Sequence, residues 1–134
     1  MKTRVIIAGL VMLLTACSSG PRTHMKNDEL VKMIESGHPP LVIDVRSRYE
    51  YDQSHVPGAI HIPFWKAFTT DALDQYKSTE KMVLYCEHGP RAGIAKFGLS
   101  TSGFENMVYL DGHMSAWKQA NLPVEQSVSE SEEK

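Results

Sequence analysis

The sequence contains very little cysteine: two residues of 134, Cys17 and Cys86. A framework of several disulfides, of the kind that stabilises many small secreted domains, is therefore excluded. An excess of positive charge is also lacking, because 14 Lys and Arg residues stand against 16 Asp and Glu residues, a formal net charge of −2 at pH 7, and no basic cluster follows the first four residues. Such a charge balance predicts no nucleic-acid partner. The six histidines are scattered singly, without a pair at ligand spacing, so neither a metal site nor a cofactor is predicted.

The N-terminus has the layout of a secretory signal. Residues 1–4 carry two positive charges, residues 5–16 form an uncharged run of 12, and small residues precede Cys17. Since a membrane span takes about 20 residues, this run predicts a cleaved signal peptide over 1–16 and not a membrane helix. The letters LTAC that end at Cys17 resemble the bacterial lipobox, which implies that Cys17 is lipidated and becomes the first residue of the mature chain.

If Cys17 is lipidated, the protein is expected to be anchored in the bacterial cell envelope. Ser18 in the next position is, by analogy with such lipoproteins, typical of the outer membrane, so the domain is expected to face the periplasm. Residues 17–26 show no apolar periodicity and are expected to form the tether. If Cys17 is lipidated, Cys86 is the one thiol of the mature chain and no internal disulfide can form. A solitary thiol in an exported protein indicates reactivity.

Apolar runs of two kinds alternate through the rest of the chain. Some are short, rich in β-branched residues and bounded by turn residues, which is typical of buried strands. These runs lie at 39–45, 59–62, 81–86 and 107–110. Other segments place apolar residues at helical spacing. These segments lie at 27–37, 64–76, 91–103 and 113–120.

This alternation predicts one α/β domain over residues 27–125. Its core is expected to be a parallel sheet of four to five strands, with helices on both faces. The acidic segment 126–134 contains almost no apolar residue and is predicted to be disordered. Three large residues of the predicted helices are assigned to the core: Phe97, Leu99 and Trp117.

Cys86 ends the predicted buried strand 81–86 and precedes a short loop. In open parallel sheets, functional crevices lie beyond the carboxyl ends of the strands. The loop can turn several backbone N–H groups inward, and the following helix adds the positive end of its dipole. Such surroundings stabilise a thiolate. The alternative is that Cys86 only fills space in the core as a small apolar residue.

Three motifs resemble those of a known family. The letters CEHGPR at 86–91 match the Cys-x-x-Gly-x-Arg active-site loop of rhodanese-type sulfurtransferases. The segments LVIDVRSRYEYDQSHVPGAIHIP at 41–63 and VYLDGHMSAWKQANLPV at 108–124 are similar to two further segments of that family, in the same order. The resemblance covers nearly all of the predicted domain and implies a rhodanese-like fold.

The resemblance implies that Cys86 is a nucleophile that carries sulfur. Its thiolate would take the outer sulfur of a small anionic donor such as thiosulfate, or of a persulfide, and pass it to a thiol or cyanide acceptor. The alternatives are a noncatalytic persulfide carrier or a rhodanese module that only binds a protein. Cysteine-dependent phosphatases also use a Cys–loop–Arg arrangement, but their loops contain one residue more. The shorter loop of this chain suits a single added sulfur atom better than a phosphate group.

Residues around the thiol are assigned through the same resemblance. Arg91 could either attract an anionic donor or lock the loop through a carboxylate; the lock is favoured, and the resemblance implies Glu50 as its partner. Asp44 and Arg46, at the end of the first long strand, are expected to shape the site. The predicted loop and substrate-binding residues are Glu87, His88, Gly89, Pro90, Arg91 and Ala92.

Three loop residues affect the predicted activity, which is expected to be modest. Glu87 next to the nucleophile is expected to disfavour the thiolate and to repel thiosulfate, whereas a protonated His88 would do the opposite. Pro90 removes one possible N–H donor from the loop. Activity is therefore predicted to rise as the pH falls and His88 becomes protonated.

Three further positions differ from the family's more usual residues. His61 stands where the family more often has Asn, and Ser54 and His113 stand where it more often has Gly. His113 is the largest departure, because a side chain replaces a residue with glycine's backbone freedom. These differences are expected to alter loops and not the fold.

Overall fold

A computed structural model describes residues 22–76 and 78–127 of the chain. The strands in that part of the chain are β1 His24–Met25, β2 Leu41–Asp44, β3 Ile60–His61, β4 Met82–Tyr85 and β5 Met107–Leu110. They form one five-stranded sheet in the order β1-β5-β4-β2-β3, and every pair of neighbours is parallel. The predicted parallel sheet is confirmed. The predicted signal peptide, Cys17 and residues 128–134 lie outside the described residues.

A helix follows each parallel strand, and the helices cover both faces of the sheet. They are α1 Asn27–Glu35, α2 Arg48–Gln53, α3 Pro90–Thr101 and α4 His113–Gln119, with a 3-10 helix at Phe64–Lys66. Parallel strands require such crossover connections, because a tight hairpin cannot join them. In the part of the chain that the structure describes, no helix has the length and apolarity to cross a membrane.

Strand β4 lies at the centre of the sheet and is buried on both faces. Met82 and Leu84 pack in one apolar cluster, which also contains Cys86, whereas Val83 and Tyr85 pack in the other. The first cluster includes buried residues of α3: Ala92, Ala95 and Leu99. The second includes buried residues of α1 and α4: Leu30, Met114 and Trp117. Leu99 and Trp117 are therefore core residues, as predicted.

The edge strand β1 was not predicted, because residues 17–26 were assigned to the tether. Thr23 O accepts a hydrogen bond from Tyr109 N at 2.9 Å, and Met25 O accepts one from Asp111 N at 2.9 Å. Met25 is buried against the sheet. Two residues with one buried side chain leave no alternating pattern to detect. The sheet therefore begins before residue 27, where the sequence placed the start of the domain.

Helix α2 was not predicted either, since it lies between the two predicted strands 39–45 and 59–62, where no helix was assigned. Ser47 is its N-cap and accepts a hydrogen bond from Glu50 N at 3.3 Å. The Glu50 carboxylate in turn accepts one from Ser47 N at 3.0 Å, which completes a capping box. The spacing Ser-x-x-Glu is the sequence signature of this motif, so a signal for the helix was present.

The helix predicted over 64–76 is wrong, since only Phe64–Lys66 is helical and turns follow it. The residues after Lys66 pack closely against α3 in this non-helical conformation. A Cβ built on Gly98 of α3 would lie 3.0 Å from the Phe68 ring and 3.1 Å from the Ala67 backbone, so the two segments approach very closely. Phe97, assigned to the core from the sequence, is instead 65% exposed, with its ring centroid 6.1 Å from that of Phe68.

The sheet brings the predicted site residues to one edge. Asp44, the last residue of β2, pairs with Tyr85, the last residue of β4, in the parallel register. Arg46 and Cys86 follow these two strands, so both emerge at the same carboxyl edge of the sheet. This is the edge at which open α/β sheets place their functional crevices.

Candidate functional site at Cys86

Cys86 is only 1% exposed, at the carboxyl end of β4. Its Sγ accepts a hydrogen bond from Gly89 N at 2.9 Å. Gly89 precedes α3 with φ +127°, a conformation that residues with a side chain rarely adopt. Pro90 then occupies the first turn of α3, where a missing N–H costs no helical hydrogen bond. The loop thus brings a main-chain N–H to the sulfur, beside the positive end of the α3 dipole.

The first turn of α4 is fastened to the same loop. Met114 N donates to Cys86 O at 3.0 Å, and Ser115 N donates to Glu87 O at 3.2 Å. Cys86 N donates to His113 Nδ1 at 3.3 Å. These bonds give partners to N–H groups that a helix start leaves unpaired. They also hold the backbone of Cys86 through both its N–H and its carbonyl.

Arg46 lies under the loop and is 2% exposed. Its Nη2 donates to Asp44 Oδ2 at 2.7 Å and to Ser54 O at 2.6 Å, and its Nη1 donates to Glu87 Oε2 at 3.2 Å. Burial acts to lower the pKa of Arg46, but hydrogen bonding to Asp44 and the charge of Asp44 raise it overall. The structure therefore brings Asp44 and Arg46 together as one ionic unit that supports the residue following the thiol.

The Glu87 carboxylate is directed at two cations. It accepts a hydrogen bond from Arg46, and it forms an ion pair with Lys118 of α4. Its negative charge is thus offset within the site, which weakens the predicted effect of Glu87 on a thiolate. His88, the next loop residue, is exposed.

Arg91 and Glu50 form a two-pronged ion pair, the partner predicted from the sequence. Nη1 of Arg91 donates to Glu50 Oε2 at 2.7 Å, and Nη2 donates to Oε1 at 2.8 Å. Hydrogen bonds from Arg91, followed by those from Ser47, hold the pKa of Glu50 well below its usual range, although partial burial opposes this. Arg91 thereby ties the start of α3 to the start of α2. Ala92, the last predicted loop residue, is buried in the core cluster next to it.

His61 lies behind Arg46, at the end of β3. Its Nε2 is 2.9 Å from Arg46 O, and its ring stacks on Tyr51 with centroids 4.8 Å apart. A second departure from the family pattern, Ser54, contributes its backbone carbonyl to Arg46. Both residues therefore shape the surroundings of Arg46.

Three residues of the site had no functional assignment from the sequence. They are Ser47, which donates to Glu50; His113, which accepts from Cys86 N; and Lys118, which pairs with Glu87. The capping-box spacing could have identified Ser47. The two α4 residues carry no local signal, because their contacts depend on how α4 packs against the end of β4.

Open clefts of the molecule lie away from the thiol. One of about 680 Å³ is lined by Arg48, His61, Trp65 and Lys66 among others, and one of about 740 Å³ by His24, Asp111 and residues of α1 among others. Neither cleft is lined by Cys86. Within 22–76 and 78–127, no group of three His, Cys, Asp or Glu side chains is placed to hold a metal ion.

A thiol in this setting is suited to nucleophilic chemistry. The N–H of Gly89 and the start of α3 both favour negative charge on sulfur, and contacts from α4, Arg46 and Glu50 hold the loop.

Comparison with known proteins identifies relatives over most of the chain. The profile of the rhodanese-like domain family matches residues 26–120. A probable adenylyltransferase/sulfurtransferase, MoeZ of Mycobacterium tuberculosis, is 33% identical over 95 residues, which are 71% of this chain and 24% of that protein. A thiosulfate:glutathione sulfurtransferase of Saccharomyces cerevisiae is 31% identical over 102 residues, covering 66% of this chain and 73% of that protein.

A solved structure gives the same result for the fold. The Alr3790 protein of Anabaena sp. superposes with a TM-score of 0.69 at 25% identity, covering 78% of this chain and 94% of that one. The chain spans only about a quarter of the length of the MoeZ relative, so the likeness concerns one domain of that protein. With its parallel sheet, its strand–loop–helix around Cys86 and the profile match over 26–120, the chain belongs to the rhodanese-like domain family.

Proposed function

We propose that this protein is a sulfurtransferase that carries sulfur on Cys86. The observation that carries the proposal is the hydrogen bond from Gly89 N to Cys86 Sγ at 2.9 Å, in a loop fixed at both ends. Relatives named as sulfurtransferases support the same class of reaction. Thiosulfate or a persulfide is the proposed donor.

The proposed reaction is a double displacement. The Cys86 thiolate attacks the outer sulfur of thiosulfate, a bond forms between the two sulfur atoms, and the bond to the sulfonate breaks. Sulfite departs with the electron pair and Cys86 persulfide remains. An acceptor thiolate or cyanide then attacks the outer sulfur, and the Cys86 thiolate leaves with the electrons of the broken bond.

The two arginines of the site act on the loop in this mechanism. Arg46 is engaged by Asp44 and Glu87, and Arg91 by both oxygens of Glu50. A donor anion is therefore stabilised mainly by main-chain N–H groups of the loop. This is the arrangement by which enzymes stabilise charge without reorganising side chains.

Intact mass spectrometry after incubation with thiosulfate tests the proposal. We expect a gain of one sulfur atom on the full chain, abolished by Cys86→Ser and retained by Cys17→Ala. The Cys17 variant is the matched control, since it removes the other thiol of the sequence. No gain in mass on the wild-type chain, with thiosulfate or with a persulfide donor, would overturn the proposal.

Turnover separates an enzyme from a carrier. An enzyme forms thiocyanate from thiosulfate and cyanide at a rate that disappears in Cys86→Ser. A stable persulfide with negligible turnover would instead indicate a module that delivers sulfur to a protein partner. Hydrolysis of an aryl phosphate that is lost in Cys86→Ala would indicate phosphatase chemistry and contradict the sulfur assignment.

For location, the proposal is a lipid anchor on Cys17 that holds the domain at the bacterial envelope, facing the periplasm. Its support is the N-terminal sequence, with its basic start, apolar run and LTAC letters. Fractionation of cells that express the full chain tests it. Wild-type protein is expected with the outer membrane and Cys17→Ala in the soluble fraction; equal distribution of the two would contradict the anchor.

A further inference from the structure

His113 occupies a constrained position beside the Cys86 loop. Its φ is +56°, in the left-handed region that favours glycine. It is the first residue of α4, and the N–H groups of the next two residues bond to loop carbonyls. A non-glycine residue in this region costs free energy and persists where the surrounding structure fixes its conformation.

The imidazole of His113 contacts both ends of the turn that presents the thiol. Its Nδ1 accepts the N–H of Cys86 at 3.3 Å. A Cβ built on Gly89 would lie 3.2 Å from Nε2, so the ring packs directly against that glycine. Gly89 is the residue whose N–H reaches Cys86 Sγ. One side chain therefore braces the two backbone positions that define the sulfur's surroundings.

This brace requires a neutral ring. A backbone N–H can donate to Nδ1 only when Nδ1 carries no proton, which places the single proton of the neutral ring on Nε2. Burial lowers the pKa of His113, and the nearby His24 and His88 lower it further, while Asp111 acts in the opposite direction. The neutral form is thus favoured at neutral pH, and acid removes the acceptor.

Other titratable groups also face His113. His24 comes from β1, Asp111 from the turn before α4, and His88 from the loop itself. The Tyr109 ring of β5 lies 6.0 Å from the His113 ring, and Lys96 of α3 places its Nζ 4.8 Å from that tyrosine ring. Among these groups, His113 is the one that bonds to the Cys86 backbone.

We infer that His113 is a positioning residue for sulfur transfer. Its neutral imidazole holds the turn from Cys86 to Gly89 in the shape that receives the transferred sulfur, and protonation of the ring releases that turn. The inference rests on the proposed sulfur transfer at Cys86. It predicts a loss of sulfur loading as the pH falls through the titration of His113, opposite in sense to the gain expected from protonation of His88.

Two variants separate the imidazole from the backbone strain. His113→Gly removes the acceptor and relieves the positive φ. His113→Asn tolerates a positive φ and offers a side-chain oxygen to Cys86 N, but it does not titrate. Both are made in the full-length Cys17→Ala chain, so that Cys86 is its one thiol. The rates of sulfur loading from thiosulfate and of alkylation by iodoacetamide are measured from acid to neutral pH.

At neutral pH we expect His113→Gly to load sulfur about 10- to 100-fold more slowly, because the reacting sulfur loses its fixed position. His113→Asn should stay within about threefold of the parent, because its oxygen replaces Nδ1 as acceptor. Below neutral pH, the parent's loading rate should fall more steeply with decreasing pH than that of His113→Asn, which lacks the titrating ring. Parent-like rate and slope in His113→Gly would overturn the inference.

Two controls assign the extra acid titration to His113. His24→Gln and His88→Gln should each retain the steeper slope, and its disappearance in either variant would assign it to that residue instead. Alkylation needs no sulfur donor, so it separates the two proposals. If the parent forms no persulfide, sulfur transfer is wrong, while a steeper acid fall of alkylation in the parent than in His113→Asn still supports the positioning role; identical alkylation profiles would refute it.

Discussion

The loop that carries Cys86 is held by an arginine at each end, and the two arginines are held differently. Arg46 is 2% exposed and supports Glu87, the first residue after the thiol, while it also pairs with Asp44. The Arg91 side chain is 29% exposed and binds Glu50 with two hydrogen bonds. The entry to the loop is therefore fixed by a buried ionic unit, and its exit by a pair that water can reach.

The two ion pairs should therefore contribute differently to the stability of the protein. A buried charge that loses its partner is strongly destabilising, because water cannot replace the partner. A partly exposed pair is screened by solvent, and its loss is better tolerated. The first arginine should therefore matter most for stability, and the second for the response to pH.

The largest expected effect comes from the buried arginine. Arg46→Met should lower the free energy of unfolding by roughly 3–5 kcal/mol, because it leaves the fully buried Asp44 carboxylate without its cation. Urea denaturation measures the change. Arg48→Met, at an exposed arginine of α2, is the matched control and should cost less than about 1 kcal/mol. Equal losses of unfolding free energy in the two variants would contradict the special role of the buried arginine in stability.

The exit pair should show a smaller but measurable coupling. A double-mutant cycle of Glu50→Gln and Arg91→Met is expected to give about 1–2 kcal/mol, since both hydrogen bonds are charge-assisted. Glutamine can preserve the capping box of α2, so the cycle isolates the pair from the cap. The exposed pair of Arg48 and Asp52 supplies a reference cycle, expected near 0.3–0.5 kcal/mol. A value for the exit pair no larger than this reference would contradict the assignment.

The same pair should make stability depend on acid. The pKa of Glu50 is lowered, chiefly by hydrogen bonds from Arg91, so its stabilising contribution is complete above its unfolded pKa and is lost as the pH falls toward the folded value. The stability difference between wild type and Glu50→Gln should therefore shrink from about pH 5 to about pH 3. Chemical denaturation at several pH values measures it, and a difference independent of pH would exclude the pair as its source.

The smallest effect is expected at Glu87. Because Arg46 and Lys118 already offset its charge, Glu87→Gln should accelerate sulfur loading by less than about threefold. Lys118→Met is the complementary variant. It should slow sulfur loading by a similar factor, because the Glu87 charge near the thiol is then less neutralised. A gain above about tenfold in Glu87→Gln would show that the carboxylate acts on the thiolate without this offset.

The sequence predicted the features that depend on local pattern. Buried strands of four residues, such as Met82–Tyr85, follow from continuous apolar runs, and Cys86 with Arg91 follows from a motif of fixed spacing. The Arg91–Glu50 pair was predicted only through family resemblance, because its partners lie 41 residues apart. No local pattern relates two positions at that distance.

The features that were missed depend on tertiary packing. Phe97 was assigned to the core by its helical position, but the close approach at Gly98 lets Phe68 cover that side of α3 and leaves Phe97 exposed. His113 acquires its contact with Cys86 because α4 packs against the end of β4, at a sequence separation of 27. Neither outcome is encoded in the residues immediately around it.

One oxygen of the Glu50 carboxylate links the start of α2 to the Cys86 loop. Glu50 Oε2 accepts at once from Ser47 N at 3.0 Å, from Ser47 Oγ at 2.6 Å and from Arg91 Nη1 at 2.7 Å. Unwinding α2 from its start would therefore also detach the loop's second arginine. Loss of the Ser47 hydroxyl group alone, although Ser47 does not contact Cys86, would therefore be expected to loosen the loop that carries the thiol.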